Sequence, residues 1–396
     1  MNQINKRIIL FIVTDRGAFN TFLGELSVSL VTNYKLSIHV ITAPTAVIDI
    51  EDRFNYQQLG IKFHFVKIPR SFNILHQISA SKKIHTIIQD MNPGLIHVHF
   101  TSGCFTTLLY KRPQQKIWGT FHGLSFTVRS GFGGIVFKVI ERFCFSRLDK
   151  ILVLNNIDFE VIKEMYPISA YKYKCLGLGC DNSVFNPMLF NNKVNFFLKK
   201  ALNIGEQRVL IYVGRFTSFK GFHLLAMAFL KLTQECPAAY KLLIIGGNDP
   251  VHGSGLNESY ENDFFSHADV INIGFTKEVA KYLAIADLMI FPSSREGVPV
   301  CILESLSMGV PVITSDSRGC NELIRDGYNG YLINNSLDIE QKYSLIKEKI
   351  IHLFDNMDKY DFMKLNALKD RNIYDRKIFI EEETFGYLDH FRNYQS

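Results

Sequence analysis

Cysteine is scarce and shows no pairing pattern. The seven residues are odd in number, are scattered, and include no C-x-x-C pair. Neither a disulfide framework nor a zinc site can be built from them, and reduced thiols fit a cytoplasmic setting. No apolar run approaches the ~18 residues that span a bilayer. Ile8 to Val13 follows Lys6-Arg7 as a signal peptide would. It is too short for one, and Asp15-Arg16 come next without a small-residue cleavage site, so it reads as an opening buried strand. The first turn, Thr14-Asp-Arg-Gly-Ala-Phe-Asn20, lacks the G-x-G-x-x-G fingerprint, which argues against a dinucleotide oxidoreductase. Asp-x-Asp is missing as a metal-binding segment, and no nucleic-acid module or low-complexity tract is present.

What is present describes an ordinary globular chain, 47% hydrophobic and 21% charged. The net charge of +6 is unevenly distributed: residues 1–170 carry 19 Lys+Arg against 11 Asp+Glu, and the remainder 25 against 27. A basic N-terminal half suits an anionic partner, although charge alone serves solubility equally well.

Short apolar runs alternate with longer amphipathic stretches, the pattern of a parallel sheet wound with helices. Strands are expected at Ile8–Val13, Leu36–Thr42, Ile61–Val66, Leu95–His99, Lys116–Thr120, Ile151–Leu154 and Tyr171–Leu176. Helices are expected between them at Phe19–Thr32, Ile74–Met91, Ile135–Phe145 and Asp158–Met165. An Asn-rich, poorly patterned stretch follows, and alternation restarts at Val209–Val213. It continues through Lys241–Ile245, Val270–Ile273, Leu288–Phe291, Pro311–Thr314 and Gly330–Ile333, and Leu337 to Tyr394 reads as helix throughout. The expected organisation is a Rossmann-like domain over 1–180, a linker over 181–203, a second such domain over 204–375, and a final helix over 376–396 returning to the first domain.

Three segments carry chemistry. In Glu296-Gly-Val-Pro-Val-Cys-Ile-Leu-Glu304 a strand ends at Phe291 and a helix is expected to start near Pro299, a favoured first-turn residue. The amides of Gly297, Val298 and Val300 then form a site for a diphosphate. Glu296 lies before the helix and Glu304 inside it, so they flank a ligand at two depths instead of pairing. Carboxylates accept hydrogen bonds from hydroxyls, which suits a ligand with sugars on both sides of its phosphates. In Val213-Gly-Arg215-Phe-Thr-Ser-Phe-Lys220, a strand end delivers two cations able to neutralise a diphosphate leaving group. Thr120-Phe-His122-Gly123 places a histidine just past a strand, where such sheets bind ligands. Taken singly, each also fits a structural reading: solvated cations, a surface glutamate with a half-buried one, a packed histidine.

In this order, the segments resemble the retaining glycosyltransferase family 4, with its two-domain GT-B architecture. Further matching pieces are Gly17, Pro93-Gly-Leu-Ile-His-Val-His99, Leu178-Gly-Cys-Asp181, Leu303-Glu-Ser-Leu-Ser-Met-Gly-Val-Pro-Val-Ile313 and Gly327-Tyr-Asn-Gly-Tyr-Leu332. The subgroup it resembles, through Leu154-Asn-Asn-Ile-Asp158 and Asp316-Ser-Arg-Gly-Cys-Asn-Glu322, makes O-antigen, capsule and other lipid-linked glycans. The chain departs from the family at Leu178, where Asn is common, and at Asn321, where Arg is common. The resemblance implies an α/β fold, two parallel sheets facing a central cleft. It assigns Arg215 and Lys220, next to Gly214, to the donor diphosphate, and Glu304 to the nucleotide ribose. Glu296 with Gly297, Val298 and Pro299 would hold the transferred sugar. His122 would lie near the reacting carbon, and Gly17 would let the first loop approach the phosphate. Gly179 and Asp181 would shape the cleft.

The implied reaction moves a hexose or N-acetylhexosamine from a nucleotide diphosphate sugar, with UDP the favoured base, keeping the anomeric configuration and using no metal or other cofactor. The rival reading is a nucleotide-sugar epimerase or glycoside phosphorylase on the same scaffold. The acceptor is expected to be a glycan or polyprenyl-diphosphate-linked glycan, with no role for nucleic acid. Residues 124–147 interleave Arg129, Lys138, Arg142 and Arg147 with phenylalanines around Gly131, Gly133 and Gly134. Such a segment suits docking on an anionic membrane surface, peripheral on the inner face of the cell membrane. The same phenylalanines, at helical spacing, equally suit a core face.

Overall fold

The computed structural model describes residues 5–44, 52–69, 73–110, 112–127, 131–175, 177–250 and 252–393. They form two compact units, residues 1–174 with 379–396, and residues 175–378. The first unit runs β1 (Asn5–Ile12), α1 (Arg16–Phe22), α2 (Gly24–Tyr34), β2 (Ser37–Thr42), β3 (Lys62–Phe65), α3 (Ile74–Met91), β4 (Pro93–His99), α4 (Phe100–Leu109), β5 (Ile117–Phe121), α5 (Gly131–Phe145), β6 (Lys150–Val153), α6 (Asn156–Met165) and β7 (Ala170–Lys172). Among the described residues its sheet has seven strands in the order β3-β2-β1-β4-β5-β6-β7, all paired in parallel. β4 is buried along its whole length, as expected of a strand covered on both faces by helices.

The second unit contains α7 (Asn192–Ala201), β8 (Arg208–Val213), α8 (Phe222–Glu235), β9 (Tyr240–Ile245), α9 (Glu258–Ser266), β10 (Val270–Gly274), α10 (Val279–Leu283), β11 (Leu288–Phe291), α11 (Val300–Ser307), β12 (Val312–Ser315), β13 (Gly330–Ile333), α12 (Ile339–Asp355) and α13 (Met357–Lys369). The last helix, α14 (Arg376–Asn393), begins here and contributes residues 379 onward to the first unit. The described strands form a six-stranded sheet, again parallel, in the order β10-β9-β8-β11-β12-β13. In a sheet of this kind the strand order reverses once, between β1 and β4 in the first unit and between β8 and β11 in the second. The crevice past the carboxyl ends of those strands is where such sheets bind ligands.

Three features differ from the sequence expectation. Residues 181–203 belong to the second unit and carry α7, whose Leu198 and Leu202 pack on that unit's core. The stretch expected to be helix throughout from 337 is interrupted, and over residues 339–393 it holds α12, α13 and α14. The chain leaves α-helical geometry at Asn356, whose side chain caps α13 by accepting from Lys359 N, and again before α14, where Arg371–Tyr374 form a 3-10 turn. The helix expected over Phe19–Thr32 is broken at Leu23. Leu176, the end of the last strand expected in the first half, lies outside the described residues.

Candidate active site

In the second unit the reversal point brings together the residues that follow β8 and β11. Gly221, at φ +74°, ends the β8 turn, and a Cβ there would lie 2.1 Å from the carbonyl oxygen of Pro292. Only glycine lets the two loops touch through their backbones. Ser294 N and Oγ both donate to the Phe219 carbonyl, at 2.9 and 3.1 Å, and tie the loops a second time. Lys220 Nζ then lies 2.5 Å from Glu296 Oε1, which also accepts from Ser293 Oγ at 2.7 Å. The Lys220 and Glu296 side chains are only 18% and 10% exposed, so this pair is shielded from solvent. Arg215 is nearly half exposed and pairs with Asp249, which also accepts from His252 N at 2.9 Å.

The loop leading into α11 is fixed from the other side, where Arg318 Nε donates to the Glu296 carbonyl at 3.0 Å. Pro299 is the residue before the helix, not inside its first turn, and offers no side-chain cap. Ile302 N and Leu303 N turn back to the Pro299 carbonyl, at 3.1 and 3.4 Å, so the Val300 and Cys301 amides are the ones the start of α11 can offer to an anion. Glu304 lies one turn in. Burial pushes its carboxyl up to about 8, with Arg376 acting in the opposite direction. Arg376 reaches that place through Gly179, at φ +69°, where a Cβ would meet the Arg376 Cα at 2.6 Å. Cys180 N donates to Tyr374 O at 2.7 Å and Arg376 N to Cys180 O at 2.9 Å, which carries the returning chain past α11.

In the first unit a cavity of about 470 Å³ opens at the β1/β4 reversal, lined by Thr14, Gln77, Phe100, Thr101, His122 and Ser125 among others. His122 stacks on Phe100 with ring centroids 4.2 Å apart, and its Nε2 lies 3.1 Å from His99 Nδ1. Burial pushes the imidazole down to about 3, so His122 is neutral at physiological pH. His99 Nε2 is buried with no hydrogen-bond partner among the described residues. An unpaired lone pair is tolerated better than an unpaired N–H, so His99 carries its proton on Nδ1 and donates to His122. His122 is thereby left with an Nδ1–H, a hydrogen-bond donor and not a base.

The loop bearing His122 is held by two buried carboxylates. Glu141 accepts from Thr101 Oγ1 at 2.6 Å, Ser125 N at 3.0 Å and Phe126 N at 3.1 Å, and burial raises its pKa. Asp158 accepts from Leu124 N at 3.1 Å and Asn155 Nδ2 at 2.9 Å. Glu141→Gln should therefore cost about 1–2 kcal/mol, read as an earlier urea transition, because an amide cannot accept at both oxygens.

Of the residues singled out in the sequence, Gly214, Arg215, Lys220, Glu296, Gly297, Val298, Pro299 and Glu304 gather at the second unit's reversal point. His122 lines the first unit's cavity. Gly17 lies in the first turn of α1, whose cap is Asp15, accepting from Ala18 N at 2.9 Å. Lys138 and Arg142 are exposed on α5, while Arg129 lies outside the described residues. Asp249, Arg318, Arg376 and Glu141 were missed as site residues, since each acts on a partner distant in sequence. Among the described residues no group of three or more His, Cys, Asp or Glu is placed to hold a metal ion, and no helix is long and apolar enough to cross a membrane.

Two parallel α/β units, with cations and an open helix start at one reversal point and a histidine-lined cavity at the other, define a glycosyltransferase of GT-B architecture. Residues 207–355 match the model for glycosyl transferases group 1, and residues 8–155 the model for glycosyl transferase 4-like domains. Together the two matches place the chain among the group 1 and 4-like glycosyltransferases. It is 23% identical over 295 residues to the UDP-Gal:alpha-D-GlcNAc-diphosphoundecaprenol alpha-1,3-galactosyltransferase of Escherichia coli, covering 72% of this chain and 74% of that one. It is 25% identical to the N,N'-diacetylbacillosaminyl-diphospho-undecaprenol alpha-1,3-N-acetylgalactosaminyltransferase of Campylobacter jejuni, covering 76% and 77%. Among solved structures, Anabaena HepE in complex with UDP and glucose superposes with a TM-score of 0.71 at 15% identity, over 96% of this chain and 99% of that one.

Proposed function

We propose that the protein moves a hexose or N-acetylhexosamine from UDP-sugar to a lipid-linked glycan in cell-surface polysaccharide synthesis, keeping the anomeric configuration and using no metal. The observation that carries this reading is the group formed by Lys220, Glu296, Arg215 and the start of α11. Two cations and a row of amides supply the positive field that a departing diphosphate needs. A nucleotide β-phosphate held there displaces Glu296 from Lys220, and frees the carboxylate to accept from sugar hydroxyls. His122, neutral and a donor, orients a hydroxyl and removes no proton. With no base of suitable pKa assigned, the leaving phosphate itself takes the acceptor's proton on the face it departs from, which preserves configuration.

The relatives with undecaprenol-linked acceptors support a lipid-linked one here. So does α5, whose Phe132, Ile135 and Val139 form an exposed apolar stripe beside exposed Lys138 and Arg142. Phe137, Ile140 and Phe145 point inward on the same helix, as the core-face reading of this segment expects. The protein would then work peripherally on the cytoplasmic face of a membrane.

Slow donor hydrolysis, measured across UDP-, GDP- and other nucleotide sugars without acceptor, tests the reading. Release of UDP and free sugar is expected, with undiminished rate in EDTA. An epimer or a sugar phosphate as the only product would refute it. A rate that collapses in EDTA and returns with Mg²⁺ would refute the metal-free part alone. Lys138→Gln/Arg142→Gln should weaken binding to anionic liposomes by roughly thirtyfold, at about 1 kcal/mol per lost charge near the surface, and most visibly at low salt.

A further inference from the structure

The second unit carries a surface that the donor site does not use. Between Asp181 and Glu206 there is no acidic residue, while Lys193, Lys199 and Lys200 lie there. The same segment exposes Met188 at 88%, Leu189 at 60%, Phe196 at 62% and Phe197 at 56%. These are not frayed ends. Phe185 and Phe190, on either side of Met188 and Leu189, pack against the unit's core. Asn191 caps α7 by accepting from Val194 N at 2.9 Å. The inner face of the helix is anchored by Asn195 Nδ2 donating to Ala284 O at 3.3 Å and by Leu198 and Leu202 on the core. With 195, 198 and 202 inside, helical periodicity turns 193, 196, 197 and 200 outward. The result is a fixed aromatic pair, with ring centroids 5.8 Å apart, bordered by lysines and next to a two-residue apolar turn.

We propose that this face, Met188–Leu189 with the outer side of α7, inserts into the headgroup region of an anionic lipid leaflet. Exposed phenylalanines on a short helix with lysines at their edge match an interfacial segment, where rings enter the acyl boundary and ammonium groups stay with phosphates. A second copy of this chain is the other occupant for an apolar face. Two-fold pairing would set Lys193 and Lys200 against the same lysines with no acid in the segment to answer them, whereas an anionic surface answers both. The inference deepens the proposed function and rests on it for its purpose, since a lipid-linked acceptor lies in such a leaflet. α7 lies in the unit that holds the donor site, so its contact is separate from that of α5.

Vesicle flotation of the full chain tests it, with vesicles of phosphatidylcholine alone and vesicles also containing phosphatidylglycerol. The protein should float with the anionic vesicles, and less as salt rises. Phe196→Ser/Phe197→Ser should lower vesicle affinity at least tenfold. Lys193→Gln/Lys200→Gln should lower it roughly thirtyfold at low salt and flatten the salt dependence. Donor hydrolysis should be unchanged in both variants, which shows that the fold and the reaction are intact. Flotation of both variants like the parent would overturn the proposal. So would loss of binding only on Phe132→Ser/Ile135→Ser in α5, an outcome that leaves the lipid-linked acceptor standing. Conversion of an oligomer to a monomer by the phenylalanine variant, with flotation unaltered, would assign the face to a second copy instead.

Discussion

Lys220→Ala should lower kcat by ~10²–10³, the usual loss when one preorganised group facing a developing anion is removed. The size follows from where the ammonium sits. It is mostly shielded, 2.5 Å from Glu296, on a loop whose conformation Gly221 and Ser294 fix. A charge held in place and away from water acts on a leaving diphosphate with little screening and no reorganisation. Arg215 is nearly half exposed and already paired with Asp249, so Arg215→Ala should cost less, roughly tenfold. The contrast makes the test sharp. Single-turnover donor hydrolysis with both variants would read it, and near-parental rates in Lys220→Ala would remove the residue from the mechanism.

The pairing of Lys220 with Glu296 adds a second measurable consequence. Removing the lysine leaves a carboxylate only 10% exposed, without its partner and facing the incoming phosphate. Lys220→Ala/Glu296→Gln should therefore be less impaired in UDP binding than Lys220→Ala, because the uncompensated negative charge is gone. Turnover should stay low in the double variant, since the sugar has then lost its acceptor as well. Two independent residues would instead lose binding additively.

Much of this arrangement could be read from residues alone, for identifiable reasons. β13 and α3 fall at their expected bounds. Gly330–Ile333 is a compact apolar run, and α3 is bracketed by asparagines that cap it, Asn73 at its start and Asn92 in the left-handed region at its end. α4 was not anticipated, because Phe-Thr-Ser-Gly-Cys-Phe-Thr-Thr is poor in good helix formers. It is helical because β4 delivers it against α3 and α5, an override of local propensity by packing. α7 was hidden for a related reason, since its asparagines resemble a linker while two inward leucines and the Asn195–Ala284 hydrogen bond tie it down. Lys220, Glu296 and Glu304 stood out because each lies at a strand-to-helix junction, where backbone geometry and sequence spacing agree. Their partners did not. Nothing local links Lys220 to Glu296, 76 residues on, or Glu304 to Arg376, because each meeting depends on the sheet order. Glu141 sits among Lys138, Arg142 and Arg147 with no local pattern to mark it. Its role appears only when Thr101, Ser125 and Phe126 are seen to converge on it.

Glu304 is the residue at which function and stability should be found pulling apart. Its carboxyl titrates near 8 in the folded protein, against an ordinary value of 4.5, because burial disfavours the charge. Between those two values the folded state keeps a proton that the unfolded chain has released. Raising the pH through that window therefore favours unfolding. The stability contributed by the protonated form is complete below about 4.5 and is lost as pH rises through 8. Glu304→Gln cannot titrate, so it should be more stable than the parent by about 1–3 kcal/mol at pH 8, at 1.36 kcal/mol per pKa unit with a discount for relaxation and for Arg376. The advantage should shrink toward zero by pH 5. Urea unfolding at three pH values would measure it, and a pH-independent difference would show that the buried carboxyl is not the cause. Nucleotide binding should move the other way. Ribose hydroxyls donate best to the carboxylate, so UDP binding at pH 7 should release a proton, detectable by calorimetry in buffers of different ionisation enthalpy. UDP affinity should rise from pH 6 to 8 and then level off. Glu304→Gln should bind UDP roughly 10²-fold more weakly at pH 8, the loss expected for two charge-assisted hydrogen bonds, with a flat pH profile. A stabilised variant that binds UDP normally would leave Glu304 as a strained core residue and place the ribose elsewhere.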